Sequence, residues 1–201
     1  MQTLTNSPTD GFIISDVELM EETPNLLTQS SNYTTNTRSR GLHRMGFKLN
    51  VYLATDHDVK AFRAFWLNVR GRLNPFVLDL MPIGFSLDEK PWYNPLYTDV
   101  RNATVASPIA VGGTSMTLAG VSSTIPAGSV FTFPNDSKIH TLLSDAKANQ
   151  SVEFFPAARN VVAESAVLNF NPKPVLRLEE DKTEITLAKG TSVKLSAWEN
   201  I

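Results

Sequence analysis

The chain of 201 residues contains no cysteine, which excludes disulfide bonds, thiol nucleophiles and thiolate metal sites. No apolar run reaches the length of about 20 residues that crosses a bilayer, so we predict no membrane insertion. No basic residue precedes Arg38, and the N-terminal region lacks the apolar segment of a secretory signal peptide. We therefore expect a protein that stays where it is made or leaves as part of an assembly.

The sequence also lacks the short motifs that carry common catalytic and phosphate-binding chemistry. It contains no GxGxxG, P-loop, GxSxG or HExxH segment. The formal net charge is −2, so no overall charge excess attracts the chain to nucleic acid or to a membrane surface. These absences predict a protein without catalytic residues and without a cofactor.

A regular alternation of apolar residues is the strongest signal that the chain does contain. Every second residue from position 45 onward is apolar: Met45, Phe47, Leu49, Val51 and Leu53. Alternation of this length predicts a β-strand with one buried face. The same pattern returns after a short interval at Phe76, Leu78 and Leu80.

Between these strands the sequence predicts one amphipathic helix at about residues 56–70. Thr55 is a good N-cap, and Asp58 completes a capping-box-like pattern with it. Gly71 is expected to supply the left-handed stop. One apolar stripe has helical spacing: Val59, Phe62, Phe65, Trp66, Val69 and Leu73. The stripe predicts packing against the sheet rather than an aromatic ligand cage.

The three histidines, His43, His57 and His140, are not spaced as metal ligands on one helix. His57 stands between Asp56 and Asp58, which suggests a metal site at first sight. However, neighbours on a helix point in different directions, and acidic residues at a helix start stabilise its positive end. We therefore predict no metal site.

Acidic and basic residues are segregated near the N-terminus. Residues 1–37 contain no Lys or Arg, whereas residues 38–72 contain eight basic and two acidic side chains. Two interpretations stay open: the segments neutralise each other within one subunit, or they form complementary faces of neighbouring subunits in a ring. The second interpretation predicts these interface residues: Asp16, Glu18, Glu21, Glu22, Arg38, Arg40 and Arg44.

The chain divides into three parts. Residues 1–37 are predicted as an edge strand near residues 12–20 and a loop or arm at 23–37 that becomes ordered against a partner. Short strands separated by turn signals predict a small all-β barrel at residues 104–171. Longer strands return at residues 175–178 and 185–197, and we expect them to pair with the strands of residues 42–80. Residues 38–103 with 172–201 then form the larger domain, into which the barrel is inserted.

Two surfaces suggest ligand binding. Basic residues near residue 40 could contact nucleic acid, but the barrel segment contains only three basic residues, too few for a phosphate-tracking groove. A loop at residues 82–100 combines prolines with three aromatic residues, which could cover a sheet edge or bind a sugar: Trp92, Tyr93 and Tyr97.

Two groups of segments follow one another in a recognisable order. The first group is RGLHR (residues 40–44), FWLNVRGR (65–72) and NPFVL (74–78). The second group is IPAGSVFTF (125–133), KIH (138–140) and VEFFPA (152–157). In this order the segments resemble the distal tail and tail-tip hub proteins of long-tailed phages, and the second group resembles the small β-domain of such proteins. Ser129 departs from the acidic residue that often follows the glycine in that family.

The resemblance implies a mainly β fold with minor α+β character: a tail-tube-like β-barrel or sandwich with one packed α-helix and the inserted small barrel. It implies a structural virion protein, made in the host cytoplasm and assembled as a hexameric ring at the end of the phage tail. Expected partners are copies of itself, the tail-tube protein and other tail-tip or baseplate proteins. DNA would pass through the lumen without specific binding.

Three alternatives remain open at this stage. The ring could belong to the tail tube or to a tail-completion complex rather than to the distal hub. The chain could be a glycan- or receptor-binding module of the tail tip, using the aromatic loop or the small barrel. It could also be an enzyme with a dispersed site, although no motif indicates one.

Overall fold

The computed structural model describes residues 1–5, 13–39, 41–79, 103–170 and 172–200. These residues form a mainly β protein with one helix, as predicted. The N-terminal elements are β1 (Gln2–Thr5), β2 (Ile13–Glu22), β3 (Asn25–Gln29), β4 (Thr35–Ser39), β5 (Arg44–Leu53), α1 (Asp56–Val69) and β6 (Phe76–Asp79). The remaining elements are β7 (Thr104–Val105), β8 (Ser115–Ala119), β9 (Val130–Phe131), β10 (His140–Leu142), β11 (Ser151–Phe155), β12 (Val175–Leu178) and β13 (Thr191–Glu199).

A six-stranded sheet with the order β1-β6-β12-β13-β5-β2 carries the larger core. The β1–β6 pair is parallel and the other pairs are antiparallel. The apolar residues predicted for β5 are all buried, since alternate side chains of a strand face the same side. The C-terminal strands β12 and β13 lie between β6 and β5, which confirms that the end of the chain pairs with the strands of residues 42–80.

The helix begins as the sequence predicted. The Thr55 hydroxyl accepts a hydrogen bond from the Asp58 N–H at 3.2 Å, and the Asp58 carboxylate accepts one from the Thr55 N–H at 2.8 Å. This capping box satisfies backbone donors that have no partner within the helix. The buried face consists of Val59, Phe62, Phe65 and Val69, with Trp66 partly buried beside it.

The C-terminal end of the helix differs from the prediction in two ways. Arg70 itself is left-handed, with φ 54°, and its N–H donates to the Trp66 carbonyl at 2.8 Å. Gly71 is also left-handed, with φ 62°, but it follows the C-cap rather than forming it. The stripe ends at Val69, because the reversal at Arg70 leaves Leu73 outside the helix and 59% exposed.

A second sheet, with the order β7-β8-β11-β10-β9, has a hydrophobic core of its own. It contains most of the strands predicted for residues 104–170. Residues 166–170 join this unit through isolated bridges, Val167 to Thr104 and Asn169 to Thr132, and through Leu168 and Phe170 in its core. We call residues 103–170 the small β unit. The predicted domain boundaries border segments outside the described residues and stay predictions.

Two predicted segments have a different structure. Residues 23–37 are predicted as a loop or arm, but β3 and β4 pair along their whole length as a hairpin. These strands contain too few apolar residues to show the alternation by which a strand is recognised in a sequence. The strand predicted to start near residue 185 starts at Thr191. Ile185 packs partly against the larger core outside any strand, whereas Leu187 is exposed.

Some predictions fall on residues that the structure does not describe. Arg40 is one of the predicted interface residues in this group. The aromatic residues of the loop also lie outside the described residues: Trp92, Tyr93 and Tyr97. Over the described part of the chain, no helix has the length and apolar character needed to span a membrane.

Candidate functional site

Part of the segregated charge lies paired within one subunit along the β2–β5 pair. The antiparallel register places Glu18 opposite Lys48 and Glu22 opposite Arg44. The Glu18 carboxylate lies 3.6 Å from the Lys48 ammonium, and both side chains are exposed. Because exposed pairs contribute about 0–1 kcal/mol, this contact adds little stability. For these residues the interpretation of neutralisation within one subunit has direct support.

The remaining predicted interface residues have diverse surroundings. The Asp16 carboxylate accepts a hydrogen bond from the Asn50 amide at 3.1 Å. Arg44 lies over the Trp198 ring, with its guanidinium carbon 4.9 Å from the ring centroid. Arg38 is exposed on β4. Their participation in contacts between subunits stays a prediction.

A buried ion pair lies where the small β unit meets the six-stranded sheet. The Lys138 ammonium pairs with Glu199, and the two residues are 2% and 3% exposed. The other Glu199 oxygen accepts a hydrogen bond from the Ile139 N–H at 2.9 Å. The Nδ1 atom of His43 lies 3.4 Å from the Lys138 ammonium. We call Lys138, Glu199 and His43 the junction cluster.

The electrostatics of the junction cluster follow from its burial. Burial lowers the pKa of Lys138, and the nearby Glu199 carboxylate opposes this effect. Burial also lowers the pKa of His43, and the Lys138 ammonium adds to the decrease. A neutral His43 with an unprotonated Nδ1 accepts a second hydrogen bond from the ammonium. The cluster is thus a satisfied ion pair rather than an acid or base available to a substrate.

Three separate elements position the junction cluster. His43 directly precedes β5, Glu199 is the last residue of β13, and Lys138 lies in the turn between β9 and β10. Asp136 shapes that turn, because its carboxylate accepts the Lys138 N–H at 2.9 Å and pairs with Arg159. The cluster therefore ties the small β unit to the end of two strands of the larger sheet.

The third histidine is part of the aromatic core of the small β unit. His140 Nδ1 lies 2.8 Å from the Pro156 carbonyl oxygen, to which it donates, and the buried Nε2 has no hydrogen-bond partner among the residues that the structure describes. The ring packs against Phe131, Phe133 and Phe154. Burial lowers the pKa of His140, so the ring stays neutral and behaves as an aromatic core residue.

An apolar groove of about 500 Å³ opens beside the junction cluster, between the sheet and the small β unit. Leu19 of β2 lines it from the sheet, together with Met45 and Phe47 of β5. The small β unit contributes residues 126–130, Ile139 and Thr141, and the connector contributes Pro172 and Pro174. Among the lining residues that the structure describes, Glu21 is the one with a charged side chain.

The groove is suited to hold an apolar side chain from another polypeptide. Its walls are aliphatic, aromatic and proline side chains, so burial of an inserted side chain would be favourable by about 25 cal/mol per Å² of apolar surface. Glu21 would favour a cation beside that side chain. The described residues contain no cluster of three potential metal ligands, and the His57 side chain is 90% exposed.

No protein-family model matches the chain, and no curated protein matches it by sequence. The geometry of the junction and the groove therefore carries the functional interpretation.

The sequence contained one signal for the junction cluster that the motif search missed. The alternation of buried residues in β13 runs through Val193, Leu195 and Ala197, and Glu199 continues it. A carboxylate at a strand position whose side chain is buried predicts a buried cation as its partner. The identity of that partner was hidden, because Lys138 lies 61 residues away in the chain.

Proposed function

We propose that this chain is a structural virion protein that forms a ring at the distal end of a long-tailed phage tail. The ring would connect the tail tube to the tail tip. The resemblance of residues 40–78 and 125–157 to tail hub proteins suggests this role. Copies of the chain, the tail-tube protein and tail-tip proteins would be its partners, and the assembled phage tail its location.

The observation that carries the proposal is an apolar surface at the β2 edge of the sheet. This surface belongs to the core face of the sheet, but it is exposed. Val17 and Leu19 pair in register with Leu49 and Phe47, so their side chains lie on the core face. Val17 is nevertheless 37% exposed and Leu19 43% exposed. An apolar strip at a sheet edge is typical of a surface that associates with another chain.

The edge strand itself restricts which partner can pair with it. β2 is the outermost strand of the described sheet and spans ten residues, four of them acidic, with a bulge between Ile14 and Asp16. Charged residues and bulges protect an edge strand from indiscriminate pairing, so a partner strand here would have to carry complementary charge. The opposite edge of the sheet, β1, has only four residues. Two unlike edges favour a head-to-tail contact, which closes into a ring when the rotation permits.

The purified full chain tests the proposal by light scattering combined with negative-stain microscopy. We expect ring-shaped particles whose mass is a multiple of the chain mass of 22.2 kDa. Mixing with tail-tube and tail-tip proteins should add density at opposite faces of the ring. A monomer that binds neither protein would refute the proposal.

A further inference from the structure

We propose that the β3–β4 hairpin of one copy docks in the groove of a neighbouring copy, with Leu26 entering the groove and Arg38 pairing with Glu21. This inference rests on the proposed function, because it names the contact that joins subunits. The hairpin and the groove are different surfaces of the same chain. Their association is therefore head-to-tail, which is the geometry that generates a ring.

Within the described residues, the hairpin has little contact with the rest of its own chain. β3 and β4 pair only with each other within the described sheets, and all their residues are exposed. An isolated two-stranded hairpin is at best marginally stable in water. Three large side chains project from it without burial, at 54%, 70% and 83% exposure: Leu26, Leu27 and Tyr33. A second surface that contacts one face of the hairpin would bury the apolar side chain on that face.

The register of the hairpin places an apolar and a cationic side chain on the same face. Leu26 is directly opposite Arg38, and paired residues of antiparallel strands point to the same side. Leu27 is opposite Thr37 and therefore belongs to the other face. The Leu26–Arg38 face presents one aliphatic side chain beside the one charged side chain of residues 25–39.

The groove has the complementary arrangement. Its walls are mainly apolar, and Glu21 is the one charged residue among its described lining residues. An inserted Leu26 would be buried among side chains such as Met45 and Phe47, and a neighbouring Arg38 would be drawn to the Glu21 carboxylate. The aliphatic side chain of the hairpin face thus matches the apolar walls of the groove, and its cationic side chain matches Glu21. Charge complementarity of this kind fixes the register between partners.

The hairpin does not fill the groove of its own chain. None of residues 25–39 lines that groove. β2, which supplies Leu19 and Glu21 to the groove wall, ends at Glu22, and β3 begins at Asn25. Only Thr23 and Pro24 lie between them, so little chain is available to turn the hairpin back onto the same wall. The groove of a second copy has no such restriction.

Charge reversal tests the contact between copies. The variants Arg38→Glu and Glu21→Arg should each weaken self-association by at least about tenfold, because like charges then face each other. The double variant Arg38→Glu/Glu21→Arg should recover most of the loss. Leu26→Ser should weaken association, whereas Leu27→Ser on the other face of the hairpin is the matched control and should leave it unchanged. Association is measured by sedimentation velocity on the full chain.

Cysteine crosslinking identifies the contact directly, since the natural chain has no cysteine. Mild oxidation of Leu26→Cys/Ala127→Cys should give a ladder of covalent oligomers, because Ala127 is an exposed lining residue of the groove. A mixture of the two single variants should stop at the dimer. Leu26→Cys/Val111→Cys is the control, because Val111 is exposed outside the groove and should give no ladder.

The outcomes separate the docking proposal from the ring proposal. Rings that form with unchanged affinity in Arg38→Glu and Leu26→Ser would overturn hairpin docking while leaving the ring intact. A Leu26–Ala127 crosslink between copies that never progresses to closed particles would support docking and overturn the ring. A chain with neither crosslink nor self-association would overturn both.

Discussion

At the scale of single residues, the junction cluster shows how a charge pair can specify an arrangement without being a catalytic site. Lys138 and Glu199 are buried, and their hydrogen bonds connect the turn of the small β unit with two strands of the larger sheet. Removing two charges from water is costly, and this cost is offset only when the partners meet correctly. The cluster therefore disfavours other placements of the small β unit against the sheet.

The buried pair gives a first prediction. Lys138→Met should lower the free energy of unfolding by about 3–5 kcal/mol, because Glu199 is left buried without its cation. The double variant Lys138→Met/Glu199→Leu should recover part of this loss, since it removes the unpaired charge but leaves the Ile139 N–H without its acceptor. Urea unfolding of the single and double variants measures the coupling. Lys147→Met, at an exposed lysine of the same unit, is the control, and an equal effect there would contradict the account.

The two buried histidines predict a pH dependence of stability. Burial lowers the pKa of both His43 and His140 in the folded chain below the ordinary value of 6.5. As the pH falls through 6.5, the unfolded chain therefore binds protons before the folded chain does, and stability decreases. Urea midpoints measured above and below pH 6.5 should show this loss. The variant His43→Asn/His140→Phe should show a flatter dependence, and an unchanged slope would contradict the assignment.

At the scale of elements, α1 illustrates which parts of a structure local sequence can predict. The capping box and the buried stripe depend on residues within one or two turns, so Thr55, Asp58 and Phe62 could be assigned from spacing alone. The C-cap could not be assigned in this way, because arginine rarely adopts the left-handed conformation that Arg70 has there. The β3–β4 hairpin was missed for a related reason: its strands lack the apolar alternation by which strands are recognised.

The packing of the helix gives a prediction at this scale. Phe62 is fully buried and contacts Phe65, which in turn meets Phe76 of β6 edge-on at 5.4 Å between ring centroids. Phe62→Ala should lower the free energy of unfolding by about 3–5 kcal/mol through the cavity it creates. Leu67 lies on the exposed side of the same helix, so Leu67→Ala should change the free energy of unfolding by less than about 0.5 kcal/mol. Comparable losses would contradict the assigned face.

The reversal after the helix depends on Gly71 for two reasons. Its φ of 62° is unfavourable for a residue with a side chain, and a Cβ atom there would lie 2.7 Å from Asp181 Oδ1. Asp181 holds the turn by accepting a hydrogen bond from the Arg72 N–H at 2.8 Å. Gly71→Ala should therefore destabilise the fold by about 1–3 kcal/mol. Differential scanning calorimetry measures this loss of stability. A melting temperature equal to that of the natural chain would contradict the account.

At the scale of the whole molecule, the sequence predicted that the C-terminal strands pair with the strands of residues 42–80, but it did not predict the junction. The return of the C-terminal strands to the sheet followed from alternation and from the intervening small β unit. The groove and the junction cluster arise where β2, β5, β13 and the small β unit converge, so no single segment carries their signal. Charge segregation was visible in the sequence, but only the β2–β5 register showed that Glu18 meets Lys48 within one subunit.

This convergence leaves two complementary surfaces on one chain, the hairpin and the groove. The groove depends on the placement of the small β unit, and that placement depends on the junction cluster. We therefore expect Lys138→Met to weaken self-association as well as stability, although Lys138 lies outside the groove lining. Sedimentation of this variant under folding conditions measures its self-association constant. A constant equal to that of the natural chain would contradict the dependence of the groove on the junction cluster.

The mass of the assembled full chain in native mass spectrometry tests the central claim most directly. The account predicts one closed oligomer, expected to be a hexamer, that shifts towards the 22.2 kDa monomer in Arg38→Glu and returns when Glu21→Arg is added. A natural chain that stays monomeric at every concentration, alone and with tail-tube or tail-tip proteins, would contradict it.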